Sequence, residues 1–257
     1  MKDILQKEFY SNLDPKYKTV LNRVVDMCDI VSKTHIGKVT DFLDPYEQEL
    51  AIGILNTYDK IQYELVGGYN YAERKVICIF PFYEENVEPD IKILEISGEV
   101  GSHRDVLGSM LGLGVVREKL GDILIFEDKA YVFIKSSLLE FFLFNLKTVG
   151  RNKVSVKEIA AKELKLPEPE YVEKTVTISS LRLDTFLAGA LNNSRSKAND
   201  LVKSGRVKLN FKEEMNPSAE VSEGMTVSVR GFGRIIFDTL KGNTRKGKYL
   251  INIKIPK

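Results

Sequence analysis

Residues 180–210, SLRLDTFLAGALNNSRSKANDLVKSGRVKLN, read as two short helices followed by a strand. Leu183, Phe186, Leu187 and Ala190 recur at i, i+3, i+4 and i+7, the apolar stripe of an amphipathic helix. Ser194 suits the N-cap of a second helix, in which Ala198, Leu201 and Val202 repeat the buried spacing. Gly205 stands where a helix C-terminus takes a residue tolerant of positive φ. The opposite face of the second helix carries Arg195, Asn199 and Lys203 at steps of four, with Arg206 just beyond its end. Side chains four apart share a helical face, so these donors point the same way.

Charge marks the same region. From Tyr171 onward there are 16 Lys+Arg against 8 Asp+Glu, whereas the first 170 residues hold 22 against 28. A net charge of +2 therefore conceals a basic C-terminal third, the footprint of a domain that meets phosphates. Arg245-Lys246-Gly247-Lys248 falls in a predicted hairpin turn between 235–240 and 249–255, where a solvated turn and a phosphate contact are both open.

This segment resembles the S4 RNA-binding module. The residues that carry the resemblance are Arg182-Leu183-Asp184, Ser194-Arg195-Ser196-Lys197-Ala198, and Leu201-Val202 leading through Gly205 and Val207 to Asn210. Pro217, Val221, Gly224 and the strand Val227-Ser228-Val229-Arg230 follow as its tail. The resemblance implies an αL-like S4 fold over 173–257. Arg182, Arg195, Lys197, Lys203, Arg206 and Lys208 are then candidate phosphate contacts, and Asn193, Ser196 and Asn199 candidates for sugar or base edges. Asp184 reads as a partner of the helix dipole, and Ser194 as a cap rather than a ligand.

Upstream, Leu166-Pro167-Glu168-Pro169-Glu170 breaks both helix and sheet and reads as a linker, taken as 166–172. Residues 86–165 follow the order strand (91–96), helix (102–113), strands (122–126 and 131–135), helix (137–146), strand (153–156), the split βαβ plan of ferredoxin-like and RRM-type domains. Tyr131 and Phe133 alternate onto one face of the third strand. They are expected as a buried pair under a helix, because the RRM aromatic signature is absent. His103 and Arg104 open the first helix of this region and are a possible secondary RNA contact; a local network with Asp105 is the alternative. Residues 1–85 read as a smaller α+β domain, with helices at 17–31 and from Pro45 to about 57 and a hairpin of 61–66 with 75–80. The fold class expected is thus multidomain α+β.

Several short matches to enzyme motifs fail on context. His103-Arg104-Asp105 has Ser109, not Asn, where a kinase catalytic loop needs its second ligand. His35-Ile36-Gly37-Lys38 follows a helix rather than a nucleotide-binding strand. Gly108, Gly112 and Gly114 lie along and after a helix, not before one. Arg182-Leu183-Asp184 echoes the pseudouridine synthases, but only 47 residues follow Asn210, where a catalytic domain would have to fit. Two histidines, two isolated cysteines and no metal-ligand spacing give neither catalytic residues nor a metal or cofactor site, and the expectation is a non-enzyme. No apolar run spans a bilayer and the N-terminus lacks a signal-peptide core, so a cytoplasmic location with no membrane partner is expected.

The segment from Ile96 to Ile123, ISGEVGSHRDVLGSMLGLGVVREKLGDI, together with the C-terminal module, resembles the YlmH-type proteins over essentially the whole chain. That resemblance implies an N-terminal domain, an RRM-like central domain and an S4 domain in a ribosome-associated quality-control factor. The partners it implies are the 50S subunit, 23S rRNA and peptidyl-tRNA left after a stalled ribosome splits; a monomer is expected. An RNA-modifying enzyme targeted by its S4 arm and a scaffold for cell-division proteins remain the alternatives.

Overall fold

Asp14 accepts a hydrogen bond from the Lys16 N–H at 2.9 Å and Pro15 takes the first helical position, so the first helix, α1, runs Pro15–Thr34. Its buried residues Tyr17, Leu21, Val24, Cys28 and Val31 alternate steps of four and three, a single stripe. In this computed structural model, which describes residues 13–84, 87–126, 128–164, 166 and 170–256, the chain forms two compact units, 1–165 and 166–257. The proline linker is therefore only flanked: Pro167, Glu168 and Pro169 lie outside the described residues.

In the first unit, α1 is followed by β1 (Lys38–Val39), α2 (Pro45–Leu55), β2 (Ile61–Val66) and β3 (Val76–Pro81). Asp44 and Glu47 start α2 by a reciprocal capping box, at 2.9 and 2.8 Å. The three strands order as β1-β3-β2, and both helices bury their stripes with Ile61, Ile77 and Ile79.

Next come β4 (Ile91–Ser97), α3 (His103–Gly112), β5 (Leu120–Ile125), β6 (Lys129–Lys135), α4 (Leu139–Asn145), β7 (Thr148–Val149), β8 (Asn152–Lys153) and β9 (Ser155–Ile159). The sheet order is β5-β6-β4-β9, every neighbour antiparallel. The expected final strand at 153–156 is displaced: Asn152 and Lys153 pair with β7 across Gly150, whose φ is +58°, and the sheet strand begins at Ser155.

Along β6, Ala130, Val132 and Ile134 face α3 and α4, where they pack with Val106, Met110 and Phe142. Tyr131, Phe133 and Lys135 point to the other face by the twofold alternation of a strand. They are 3, 0 and 5% exposed, so that face is covered too. The cover over Phe133 and Lys135 is not the expected helix but the preceding α+β part of the same unit. Tyr69 stacks on Phe133 with ring centroids 5.0 Å apart, and Lys135 donates to the Thr40 carbonyl at 3.0 Å while pairing with Asp90 at 2.8 Å.

Two glycines permit the contact. A Cβ on Gly68, at φ +89°, would sit 2.6 Å from the Phe133 ring, and one on Gly121 would sit 2.7 Å from Phe42. Around this seam Asp122 accepts from Tyr69 Oη (2.9 Å) and from the N–H groups of Glu73 (2.7 Å) and Arg74 (3.1 Å). Arg74 donates to the Phe42 and Leu120 carbonyls, and Arg117 to those of Leu120 and Gly121. Burial, and then the charge of Arg74, bring the Arg117 guanidinium down to about 10. This face of the sheet is thus a packed internal seam, not an open platform for stacking bases.

The second unit contains β10 (Tyr171–Ile178), α5 (Leu183–Ala190), α6 (Arg195–Lys203), β11 (Val207–Leu209), β12 (Lys212–Glu213), β13 (Thr226–Val229), β14 (Gly233–Asn243) and β15 (Tyr249–Pro256). All six strands form one antiparallel sheet, β10-β15-β14-β13-β11-β12. Pairing begins at Tyr171 with Pro256, so Tyr171 and Val172 belong to the sheet rather than to the linker. The apolar stripes of α5 and α6 close over the sheet, with Phe186 stacked on Phe237 at 5.8 Å. Ser194 caps α6 by accepting from the Lys197 N–H at 3.3 Å, and Gly205 beyond its end has φ +66°.

Candidate nucleic-acid interface

The basic residues of the second unit are organised around one acid. Asp184, in the first turn of α5, is 1% exposed and accepts hydrogen bonds from four donors. These are Arg182 Nε (3.1 Å) and Nη2 (2.9 Å), Arg195 Nε (3.0 Å) and Thr185 Oγ1 (3.1 Å). Burial alone would raise its pKa, but the bonds from Arg182, Arg195 and Thr185 prevail and hold it at about 2. Asp184 therefore does more than face the helix dipole. It locks the start of α5 to the start of α6 and fixes the guanidinium groups of two side chains that are 37 and 59% exposed. Each guanidinium has five N–H donors, so both keep donors free for a phosphate.

A second group forms on another side of α6. Asn193, Lys197, Asp200, Leu201, Ser204, Arg206 and Phe232 line a groove of about 540 Å³. Arg206 donates from Nη2 to the Arg230 carbonyl at 2.9 Å, and the Arg230 N–H returns a bond to the Arg206 carbonyl at 2.8 Å. These bonds pin the β13–β14 turn to the segment that follows α6.

The structure thus divides the predicted residues. Arg182 and Arg195 meet at Asp184, and Asn193, Lys197 and Arg206 meet at the groove. Ser196, Lys203 and Lys208 are exposed and Asn199 half-buried, outside both groups. Lys197, Lys203 and Lys208 have no ion pair among the described residues. Phe232 is not among the residues anticipated from the sequence, although an aromatic between two glycines and two arginines, Arg230-Gly231-Phe232-Gly233-Arg234, carries a readable signal.

His103 and Arg104 lie in the first unit, exposed in the first turn of α3. Asp105 there accepts from the Ser102 N–H (2.9 Å) and Oγ (2.6 Å), and Ser102 Oγ accepts from the Asp105 N–H. The local network is therefore a Ser102–Asp105 capping box. Its carboxylate already occupies the helix start where a phosphate would dock. Partial loss of hydration, and then the charge of Arg117, hold the His103 imidazole below its usual range, favouring its neutral form.

Among the described residues no cluster of three His, Cys, Asp or Glu is placed to hold a metal, and no helix is long and apolar enough to cross a membrane. Cys28 and Cys78 are buried, and burial pushes their thiols up to about 12 and about 11.

A helix pair over an antiparallel sheet, with basic side chains fixed on its outer surface, defines an S4-type RNA-binding protein. Residues 181–227 match the family described as "S4 domain", 16–83 "YlmH, N-terminal", and 90–163 "Putative RNA-binding domain in YlmH". The chain is 31% identical over 253 residues to the Bacillus subtilis (strain 168) protein named "Ribosome-associated protein quality control protein P2", covering 96% of this chain and 98% of that one. It belongs to the YlmH family. A solved structure titled "Cell division protein ylmH from Streptococcus pneumoniae" has a similar fold, with TM-score 0.54 and 23% identity over 59% of this chain and 96% of that one.

Proposed function

We propose that this chain is a non-catalytic, cytoplasmic, monomeric protein that binds the large ribosomal subunit. It engages 23S rRNA and tRNA in particles that retain peptidyl-tRNA after stalled translation. The observation that carries this reading is the pair of guanidinium groups fixed on Asp184, in a unit whose α6 and β11 also expose Lys197, Lys203 and Lys208. Prefixed cations lose little conformational freedom on meeting phosphates, and such contacts set register more than sequence. The relative named for ribosome-associated quality control supports the choice of partner. His103 and Arg104 supply a secondary RNA contact through their side chains, and the chain divides into domains at 1–85, 86–165 and 173–257, the last extended by the pairing of Tyr171 and Val172 with β15.

The test reverses Lys197, Lys203 and Lys208 together to Glu. Arg182 and Arg195 are unsuited, because a carboxylate in either place would lie against the buried Asp184 and unsettle the fold. The triple variant is expected to melt as the parent does and to bind large subunits far more weakly. Its salt dependence should be shallower by about one in log–log slope for each phosphate that the variant no longer neutralises. Undiminished binding would refute this placement of the interface.

A further inference from the structure

Phe232 is 56% exposed at the tip of the β13–β14 turn, in the most basic part of the chain. Its position is built rather than incidental. Gly231 and Gly233 on either side have φ of +93° and +103°, backbone that L side chains rarely adopt. The Phe232 N–H closes on the Val229 carbonyl at 3.0 Å, and the paired bonds between Arg206 and Arg230 hold the turn against the segment after α6. The ring is therefore presented at the groove, which has Leu201 as an apolar element and Asn193, Ser204, Lys197, Arg206 and Asp200 as polar ones.

We propose that this groove receives one unpaired nucleobase of a bound RNA strand, stacked on the Phe232 ring, with the adjoining phosphates held by Lys197 and Arg206. The inference rests on the RNA-binding reading above and extends it from phosphate contact to selection of single-stranded RNA. Every base has a π-face, so an aromatic beside cations binds single strands with little sequence preference. In a duplex the base faces are closed by their neighbours, so the ring adds nothing there. Asp200 is the one carboxylate among the lining residues; it accepts from a base amino group and repels a phosphate. The two lysine and arginine cations fit a polyanion better than an apolar protein segment. At about 540 Å³ the groove has room for a base with its sugar.

The experiment measures binding of the full chain to a mixed-sequence RNA oligonucleotide, single-stranded and as its blunt duplex, across a salt series. Phe232→Ala is expected to lose about 5- to 150-fold on the single strand, the range for one base–aromatic stack. Duplex affinity and both salt slopes should be unchanged, since no cation is removed. The chain has no tryptophan, so Phe232→Trp supplies a single tryptophan at the proposed contact, excited selectively over the 11 tyrosines. Its fluorescence should be quenched by the single strand and not by the duplex. Parental binding of both forms by Phe232→Ala, or an equal loss on both, overturns the stacking proposal and leaves the RNA-binding reading standing. Absence of binding to either form by the parent overturns both. Should Phe232→Ala fail to fold, the Phe232→Trp emission decides alone, and an unquenched signal at saturating single strand overturns the proposal.

Discussion

Replacing Asp184 by Asn keeps the shape of the α5 start and removes the charge that two arginines share. Holding the carboxyl at about 2 rather than its ordinary 3.8 corresponds to about 2 kcal/mol of folding free energy at neutral pH. Because Arg182 and Arg195 are 37 and 59% exposed, solvent screening reduces the expected loss to about 1–2 kcal/mol. Scanning calorimetry of the full chain should show the transition of the second unit lowered by roughly 5–15 °C at pH 7, with the first unit unmoved. The sign of the pH dependence is fixed by the lowered pKa. The stabilisation is fully present above the ordinary carboxylate value and is lost as pH falls toward 2, so the gap between parent and variant should be roughly halved by pH 3. An unshifted transition at pH 7, or a gap that is the same at pH 3 as at pH 7, would refute the claim that Asp184 is an ionised anchor.

Two further outcomes follow from the first unit. Gly68→Ala places a methyl group 2.6 Å from the Phe133 ring at a φ of +89° and should destabilise the first unit by on the order of 1–3 kcal/mol, visible as a drop in its calorimetric transition alone. Cys28 and Cys78, buried with thiols raised to about 12 and about 11, should resist alkylation at pH 8 in the folded protein and react fully in denaturant; intact-mass spectrometry reads both states.

The sequence displays α5 and α6 plainly because their apolar stripes, the Ser194 cap and Gly205 all point to the same two helices. The same holds for α2, where Asp44-Pro45 and Glu47 mark the start. The last strand of the central sheet is misplaced by its sequence pattern because Thr148–Val149 and Asn152–Lys153 have enough strand character to pair with each other across the turn at Gly150, and only Val154 separates that small hairpin from β9. Burial of Tyr131 and Phe133 is legible from their type and alternation, but not the partner. A sheet's second face is closed by whatever distant segment docks on it, here residues near Gly68 and Tyr69. At the candidate interface the cations are readable from the α6 pattern. Their division into an Asp184 pair and a Phe232 groove is not, because it depends on contacts across 11 residues (Arg195 to Asp184) and 24 residues (Arg206 to Arg230) of chain.

The most direct measurement is co-sedimentation of the full chain with purified 30S, 50S and 70S particles and with 50S–peptidyl-tRNA, across a salt series. The account predicts selective binding to 50S, strengthened by peptidyl-tRNA and falling steeply with salt. Equal weak binding to every particle, or none, would contradict it.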